Sequence, residues 1–340
     1  MKLAVISDIH LGKRQYRTDE NGYNKFEQIG YRAIFENIEV IKKENPDLII
    51  NAGDIFETPN PSVLAMNQYF KSQQLLEDIP TMTILGNHDF AFNNRTNNCS
   101  AAAMINHTYF ADYDIKEVVI DDILFVMMPY IYDTEENIMN YFKKCEKIVR
   151  NANNTKKILV THGITEKYRK ESLIKDKFTI PDNLVALFNL VIIGHIHAPF
   201  EYKQKDTLVI SPGATIDYQA YSDRTGPVFI DTEDFSFKRI LVKTPHIIKK
   251  SCTEKDINTI LESVTEDIYH ITFDGNPDTI DNDLFITARN KAVVLTIDVV
   301  KHDEEEKEII EKEHISDIYK WVDEKYPDYT EIFNTAKRGL

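Results

Sequence analysis

The chain has 340 residues, 42% of them hydrophobic, with no low-complexity tract, which is enough for one large core and a smaller attached domain. No apolar run approaches the ~20 residues needed to span a bilayer. The apolar stretch before Asp8 is too short for a secretion signal, and Cys99, Cys145 and Cys252 fit neither a disulfide framework nor a zinc knot, so a cytoplasmic protein is expected. The net charge of −15 argues against nucleic acid as a partner, yet 22 acids and 10 bases lie beyond residue 250, which leaves the first 250 residues at only −3.

In chain order, apolar runs of strand length fall at 3–7, 48–51, 81–85, 123–128, 158–161, 190–193 and 208–210. Several are continuously apolar, as strands covered on both faces are. Between the first two, Ala33, Ile34, Ile38 and Ile41 recur at helical spacing, and Pro46 closes the segment. Pro61-Ser62 opens a second amphipathic helix through Leu64, Phe70, Leu75 and Leu76. Such alternation indicates an α/β layered fold. Near 238–250 a basic stretch with Pro245 links to a small α+β unit, helix-like at 255–264 and strand-like at 269–273 and 292–299. A charged run at 303–313 precedes Ile315, Ile318, Tyr319 and Val322, again at helical spacing. The expected domains are 1–240, 244–302 and a helical segment, 303–340.

The polar residues that follow these strands carry the chemistry. Asp8 and His10 follow the first strand, Asp54 the second, and Asn87, His88 and Asp89 the third; His162 follows a later one, and His195 and His197 another. Carboxyl ends of strands in an α/β sheet are where sites assemble. One such motif alone could be an ordinary turn, whereas five in this order argue for a common cleft. Seven donors (Asp8, His10, Asp54, Asn87, His162, His195, His197) are too many for one ion and suit two, with Asp54 as the natural bridge. The mixed oxygen and imidazole set favours Mn, Fe or Zn over Mg or Ca. Two such ions can clamp a phosphate and ionise a shared water for in-line attack. His88, beside the ligand Asn87, is better placed to protonate the leaving oxygen, with Asp89 orienting its ring. His107, His246, His270, His302 and His314 are read as surface or packing residues.

The motifs Asp-Ile-His-Leu-Gly (8–12), Gly-Asp-Ile-Phe-Glu (53–57), Gly-Asn-His-Asp (86–89), Thr-His-Gly (161–163) and Gly-His-Ile-His (194–197) resemble those of the calcineurin-like metallophosphoesterases. Within that superfamily the chain is similar to the SbcD nuclease family of bacterial and phage recombination nucleases. It lacks the Asp-Arg-Gly that follows the second motif's aspartate in Ser/Thr protein phosphatases. The resemblance implies a layered β-sheet sandwich flanked by helices, with a small α+β capping domain. It implies one metal on Asp8, His10, Asp54 and His197 and a second on Asp54, Asn87, His162 and His195, typically manganese, and DNA exonuclease and endonuclease activity. Archaeal and eukaryotic members carry a second functional histidine where this chain has Glu57, so no catalytic role is assigned there.

The same resemblance implies a homodimer working on DNA with an SMC-like ATPase of the SbcC type. The stripe of Ile315, Ile318, Tyr319 and Val322 could lie in that partner's groove. Lys13, Arg14, Arg17 and Arg95 are the basic candidates for DNA phosphates. Two other readings compete: hydrolysis of small phosphodiesters such as cyclic nucleotides, and a scaffold with a vestigial metal site.

Overall fold

The computed structural model describes residues 1–15, 18, 22, 24–90, 101–104, 107–172, 176–216, 225–245 and 247–300. Arg17, Arg95, Ile315, Ile318, Tyr319, Val322 and the whole segment 303–340 lie outside the described residues. The chain begins β1 (Lys2–Ile6), α1 (Lys25–Glu44), β2 (Leu48–Asn51), α2 (Val63–Gln74), β3 (Thr81–Ile84) and β4 (Tyr109–Ala111). It crosses into β5 (Lys116–Ile120), β6 (Ile123–Met128), α3 (Glu135–Asn151) and β7 (Lys156–His162). A short excursion, β8 (Ile164–Thr165), α4 (Glu166–Ser172), β9 (Thr179–Ile180) and α5 (Asp182–Val185), precedes β10 (Leu190–Gly194), β11 (Phe200–Gln204) and β12 (Thr207–Ser211). Then come β13 (Val228–Asp231) and β14 (Phe237–Arg239).

Twelve of these strands form two six-stranded sheets, ordered β14-β13-β1-β2-β3-β4 and β11-β12-β10-β7-β6-β5, and β8 pairs with β9. Each has a parallel centre; the first is antiparallel at the β13 edge only, with β4 parallel to β3, and the second at both edges, β5 against β6 and β11 against β12. Period-two alternation divides each strand between two cores. Leu3 and Val5 face the inter-sheet core with Ile50, Phe125, Val160 and Ile192, while Ala4 and Ile6 face α1 and α2. On the far side Leu124, Val126, Leu159 and Val191 meet Ile138, Phe142 and Cys145 of α3. The result is a helix–sheet–sheet–helix sandwich, as the family resemblance implies.

Helix α1 shows how locally this is encoded. The Asn24 side chain accepts the Glu27 N–H at its start, and Asn45, in the left-handed region at φ 47°, closes it on the Ile41 and Lys42 carbonyls. Its Ile34, Ile38 and Ile41 are fully buried, each contributing roughly 2 kcal/mol. In α2 the buried face is not the expected one. Ala65, Tyr69 and Ser72 turn inward, while Leu64 and Phe70, with Leu75 just beyond, are exposed; of the expected residues Leu76, past the helix end, is buried. Small Ala65 permits close approach: a Cβ on Gly12 would stand 3.3 Å from its own Cβ.

Beyond the sandwich, β15 (Ile247–Thr253), α6 (Ile257–Glu262), β16 (Ile268–Asp274), α7 (Asn282–Lys291) and β17 (Val294–Val299) form a three-stranded parallel sheet with its own core. The stretch expected as a basic linker thus contributes β14 and most of β15. Phe26, Ile29 and Ala33 of α1 pack against Ile268 of this unit. No helix among the described residues is long and apolar enough to cross a membrane.

Candidate metal centre

Every expected ligand lies just past, or at the end of, a central parallel strand. The loops after β1 and β2 continue to pair: His10 N–H donates to the Asp54 carbonyl at 3.0 Å and Leu11 N–H to that of Ile55 at 2.9 Å. This pairing sets Asp8 and His10 against Asp54. Four of the seven donors, Asp8, His10, Asp54 and His195, have positive φ, from 50° to 92°. Non-glycine residues rarely adopt this region, and such strain concentrates at functional sites. Two glycines make room for the cluster. A Cβ on Gly86 would strike the Asp54 carboxylate, and one on Gly194 would strike the Ala52 carbonyl and the Ser7 hydroxyl.

The donor atoms fall into two groups that share one oxygen. His10 Nε2 lies 3.0 Å from His197 Nε2, 3.5 Å from Asp54 Oδ2 and 4.0 Å from Asp8 Oδ1. The same Asp54 Oδ2 lies 3.4 Å from His162 Nε2. Asn87 Oδ1 closes the second group, 3.0 Å from His162 Nε2 and 2.8 Å from His195 Nδ1. The other ring nitrogens are tied back. His162 Nδ1 donates to the Ala52 carbonyl at 2.7 Å, His195 Nε2 meets Asp176 Oδ2 at 2.9 Å, and His10 Nδ1 meets Glu57 Oε2 at 2.8 Å. Three imidazoles therefore present their second ring nitrogen to the cleft, where a metal ion would take the place of any proton held there.

Electrostatics point the same way. Asp8 and Asp54 are buried, where a carboxylate is costly unless nearby positive charge and hydrogen bonds compensate it. Burial opposes charge on His162, but the Asp54 carboxylate beside it raises its pKa to about 9. Burial lowers His197 to about 4, with Asp8 opposing. Two ring nitrogens facing each other across 3.0 Å, beside two carboxylates, form a donor set that fits divalent cations.

His88 stands outside this set. Its N–H donates to Asp54 Oδ1 at 2.8 Å, its ring Nδ1 meets the Glu57 carbonyl at 2.9 Å, and its side chain is 38% exposed. The expectation that Asp89 orients this ring is corrected. Asp89 is fully buried and spends its carboxylate on the backbone N–H groups of Ile55, Phe56 and Gly86, at 3.0 to 3.3 Å. The Glu57 carbonyl fills that role, and the Glu57 carboxylate bridges His10 to Lys13 Nζ at 2.7 Å. Glu57 was left without a role by sequence; its place behind His10 depends on the loop pairing, which no motif reports. Tyr132, whose hydroxyl pKa is raised by burial with the Asn87 side chain opposing, and Asp176 were missed altogether.

Of the expected DNA contacts, Lys13 is engaged by Glu57, and Arg14 pairs with Glu27 at 2.9 Å. His107 stacks on Phe110 and His270 bonds Thr296, in keeping with packing roles.

The calcineurin-like phosphoesterase family model matches residues 1–199, and the chain belongs to that family. Among curated proteins it is similar to the DNA double-strand break repair protein Mre11 of Methanococcus maripaludis, at 28% identity over 58% of this chain and 52% of that protein. It is also similar to the D subunit of the nuclease SbcCD from Staphylococcus saprophyticus, at 29% identity over 59% of this chain and 57% of that protein. The chain thus spans about half the length of the curated relatives it matches. A solved structure from Thermus thermophilus aligns over 71% of this chain and 99% of its own, at 11% identity and a TM-score of 0.48.

Proposed function

We propose that this chain is the nuclease subunit of a DNA repair or recombination machine, hydrolysing DNA phosphodiesters with two divalent ions, manganese by preference. The observation that carries the reading is the shared Asp54 Oδ2, about equally distant from an imidazole of each donor group. Asp8, His10, Asp54 and His197 would hold one ion, and Asp54, Asn87, His162 and His195 the other. Bound there, the ions would polarise a phosphoryl group and lower the pKa of water. The relatives named for break repair and for a nuclease subunit support DNA as the substrate.

The chain's own residues supply the rest. His88, as the imidazolium, would keep Nδ1–H on the Glu57 carbonyl and pass its Nε2 proton to the leaving oxygen. His88→Ala is expected to keep both metals and lower kcat by about 10²–10⁴-fold. Retention of near wild-type turnover by this variant would exclude the role.

Residues 1–240 would form the phosphoesterase body, 244–302 a cap guiding DNA, and 303–340 the docking segment for an SMC-like ATPase, in a bacterial or phage-infected cytoplasm. The exposed side of α2 suits the expected homodimer, with Val63 at 77% and Phe70 at 52% exposure. Val63→Lys with Phe70→Lys should shift the protein from dimer to monomer in light scattering and leave metal content unchanged. A dimer that survives both changes would place the interface elsewhere. The decisive assay for the whole reading is manganese-dependent cleavage of linear duplex DNA, with and without the ATPase, beside a small phosphodiester. Turnover of only the small ester would refute the nuclease reading, and inactivity on both would favour a scaffold.

A further inference from the structure

His195 presents Nδ1 to the centre because its other ring nitrogen is taken. Nε2 stands 2.9 Å from Asp176 Oδ2, with the two side chains only 19% and 12% exposed. The second oxygen, Asp176 Oδ1, accepts the Phe178 backbone N–H at 2.7 Å and the Tyr130 hydroxyl at 3.2 Å. Asp176 lies between α4 and β9, in none of the five motifs.

We infer that Asp176 is a positioning residue of the second pocket: its carboxylate holds His195 as the Nε2–H tautomer, so that the Nδ1 lone pair faces the ion. This rests on the proposed ligand set. Carboxylates behind a metal-binding imidazole commonly fix its tautomer and orientation.

The local geometry makes the two simplest substitutions diverge. A backbone N–H can only donate, so in Asp176→Asn the side-chain carbonyl must remain on Phe178, and the NH2 group must face His195. That donor demands a lone pair at Nε2, which moves the ring proton to Nδ1, where the ion needs an acceptor. Asp176→Ala leaves the tautomer merely unfixed, and water can accept from Nε2 at this partly exposed site. A purely structural role ranks the two variants the other way. Asparagine keeps the bonds to Phe178 and Tyr130, and alanine loses both.

The test is calorimetric titration of the metal-free full chain with Mn2+, with metal content measured after desalting and thermal unfolding of the same metal-free samples. Wild type is expected to take up two ions. Asp176→Asn should hold one normally and bind the second at least about tenfold more weakly, and Asp176→Ala should fall between. In metal-free unfolding, alanine should be the less stable of the two. Nitrogen-15 spectra of the His195 ring, recorded without metal, should change from the Nε2–H to the Nδ1–H tautomer in Asp176→Asn. Binding of both ions by Asp176→Asn as in wild type, or weaker binding by alanine than by asparagine, overturns the inference and leaves the ligand set standing. Uptake of fewer than two ions by wild type instead overturns the ligand set, whatever the tautomer.

Discussion

Replacing Asp54 with alanine is expected to empty both metal pockets at once, whereas His197→Ala and Asn87→Ala each weaken one. Asp54 Oδ2 is 3.5 Å from His10 Nε2 and 3.4 Å from His162 Nε2, so a single oxygen serves both groups. Its partner oxygen holds the His88 backbone N–H, so the loop bearing the proposed proton donor also loses its anchor. Manganese-dependent hydrolysis should fall by at least about 10³-fold, since single preorganised electrostatic contacts to a transition state are already worth about 10²–10³. Metal analysis of the three variants, beside their kcat values, gives the check. An Asp54→Ala protein that retained one ion at wild-type affinity would mean that the pockets are independent and that Asp54 is not their bridge.

The second large effect concerns stability. Asp89→Ala should destabilise the metal-free protein by about 4 kcal/mol, because three buried backbone donors lose their acceptor at once and each unsatisfied group costs about 1–3 kcal/mol. Those donors are the N–H groups of Ile55, Phe56 and Gly86. Asp89 thereby joins the loop carrying Asp54 to the loop carrying Asn87 and His88. Asp89→Asn should cost less, about 1–3 kcal/mol, since whichever way its amide turns one backbone donor meets an NH2 group. Urea unfolding with chelator present isolates this effect from metal binding. If both variants unfold like wild type and only turnover is lost, Asp89 acts in the chemistry after all.

The contrast between Asp54 and Asp89 shows what the sequence could convey. Ligands at strand ends are local: an apolar run, a glycine and a polar residue within a few positions mark both the element and the chemistry. For that reason the seven strands, an α/β layered fold and the converging donors were readable, whereas the two-sheet sandwich came from the family resemblance. Asp89 sits in the same motif as Asn87, yet its role depends on which backbone groups lie across a gap of more than 30 residues. Glu57 and Asp176 meet their histidines only through tertiary approach, and no spacing rule reaches that far. The inward face of α2 was misjudged for a related reason. Its buried line uses Ala65 and Ser72, small residues that hydrophobic pattern counts ignore, while Val63 and Phe70 face outward. Helix α7 has only Ala288 buried within it and shows correspondingly little amphipathic signal.

The centre also straddles the seam of the sandwich. Asp8, His10, Asp54 and Asn87 follow strands of one sheet, whereas His162, His195 and His197 come from the other. Among the described residues the direct bonds that cross there include His162 to the Ala52 carbonyl and the His195 N–H to Asp8. Cations held by donors from both sheets would act as rivets, binding the closed sandwich and not the separated halves. Folding and metal occupancy then become linked equilibria: free metal at a hundred times its dissociation constant would add about 2.7 kcal/mol per ion to the closed form. A scarcity of metal would thus silence the centre and loosen the joint between the sheets together, so that the inactive chain is also the one most exposed to proteolysis.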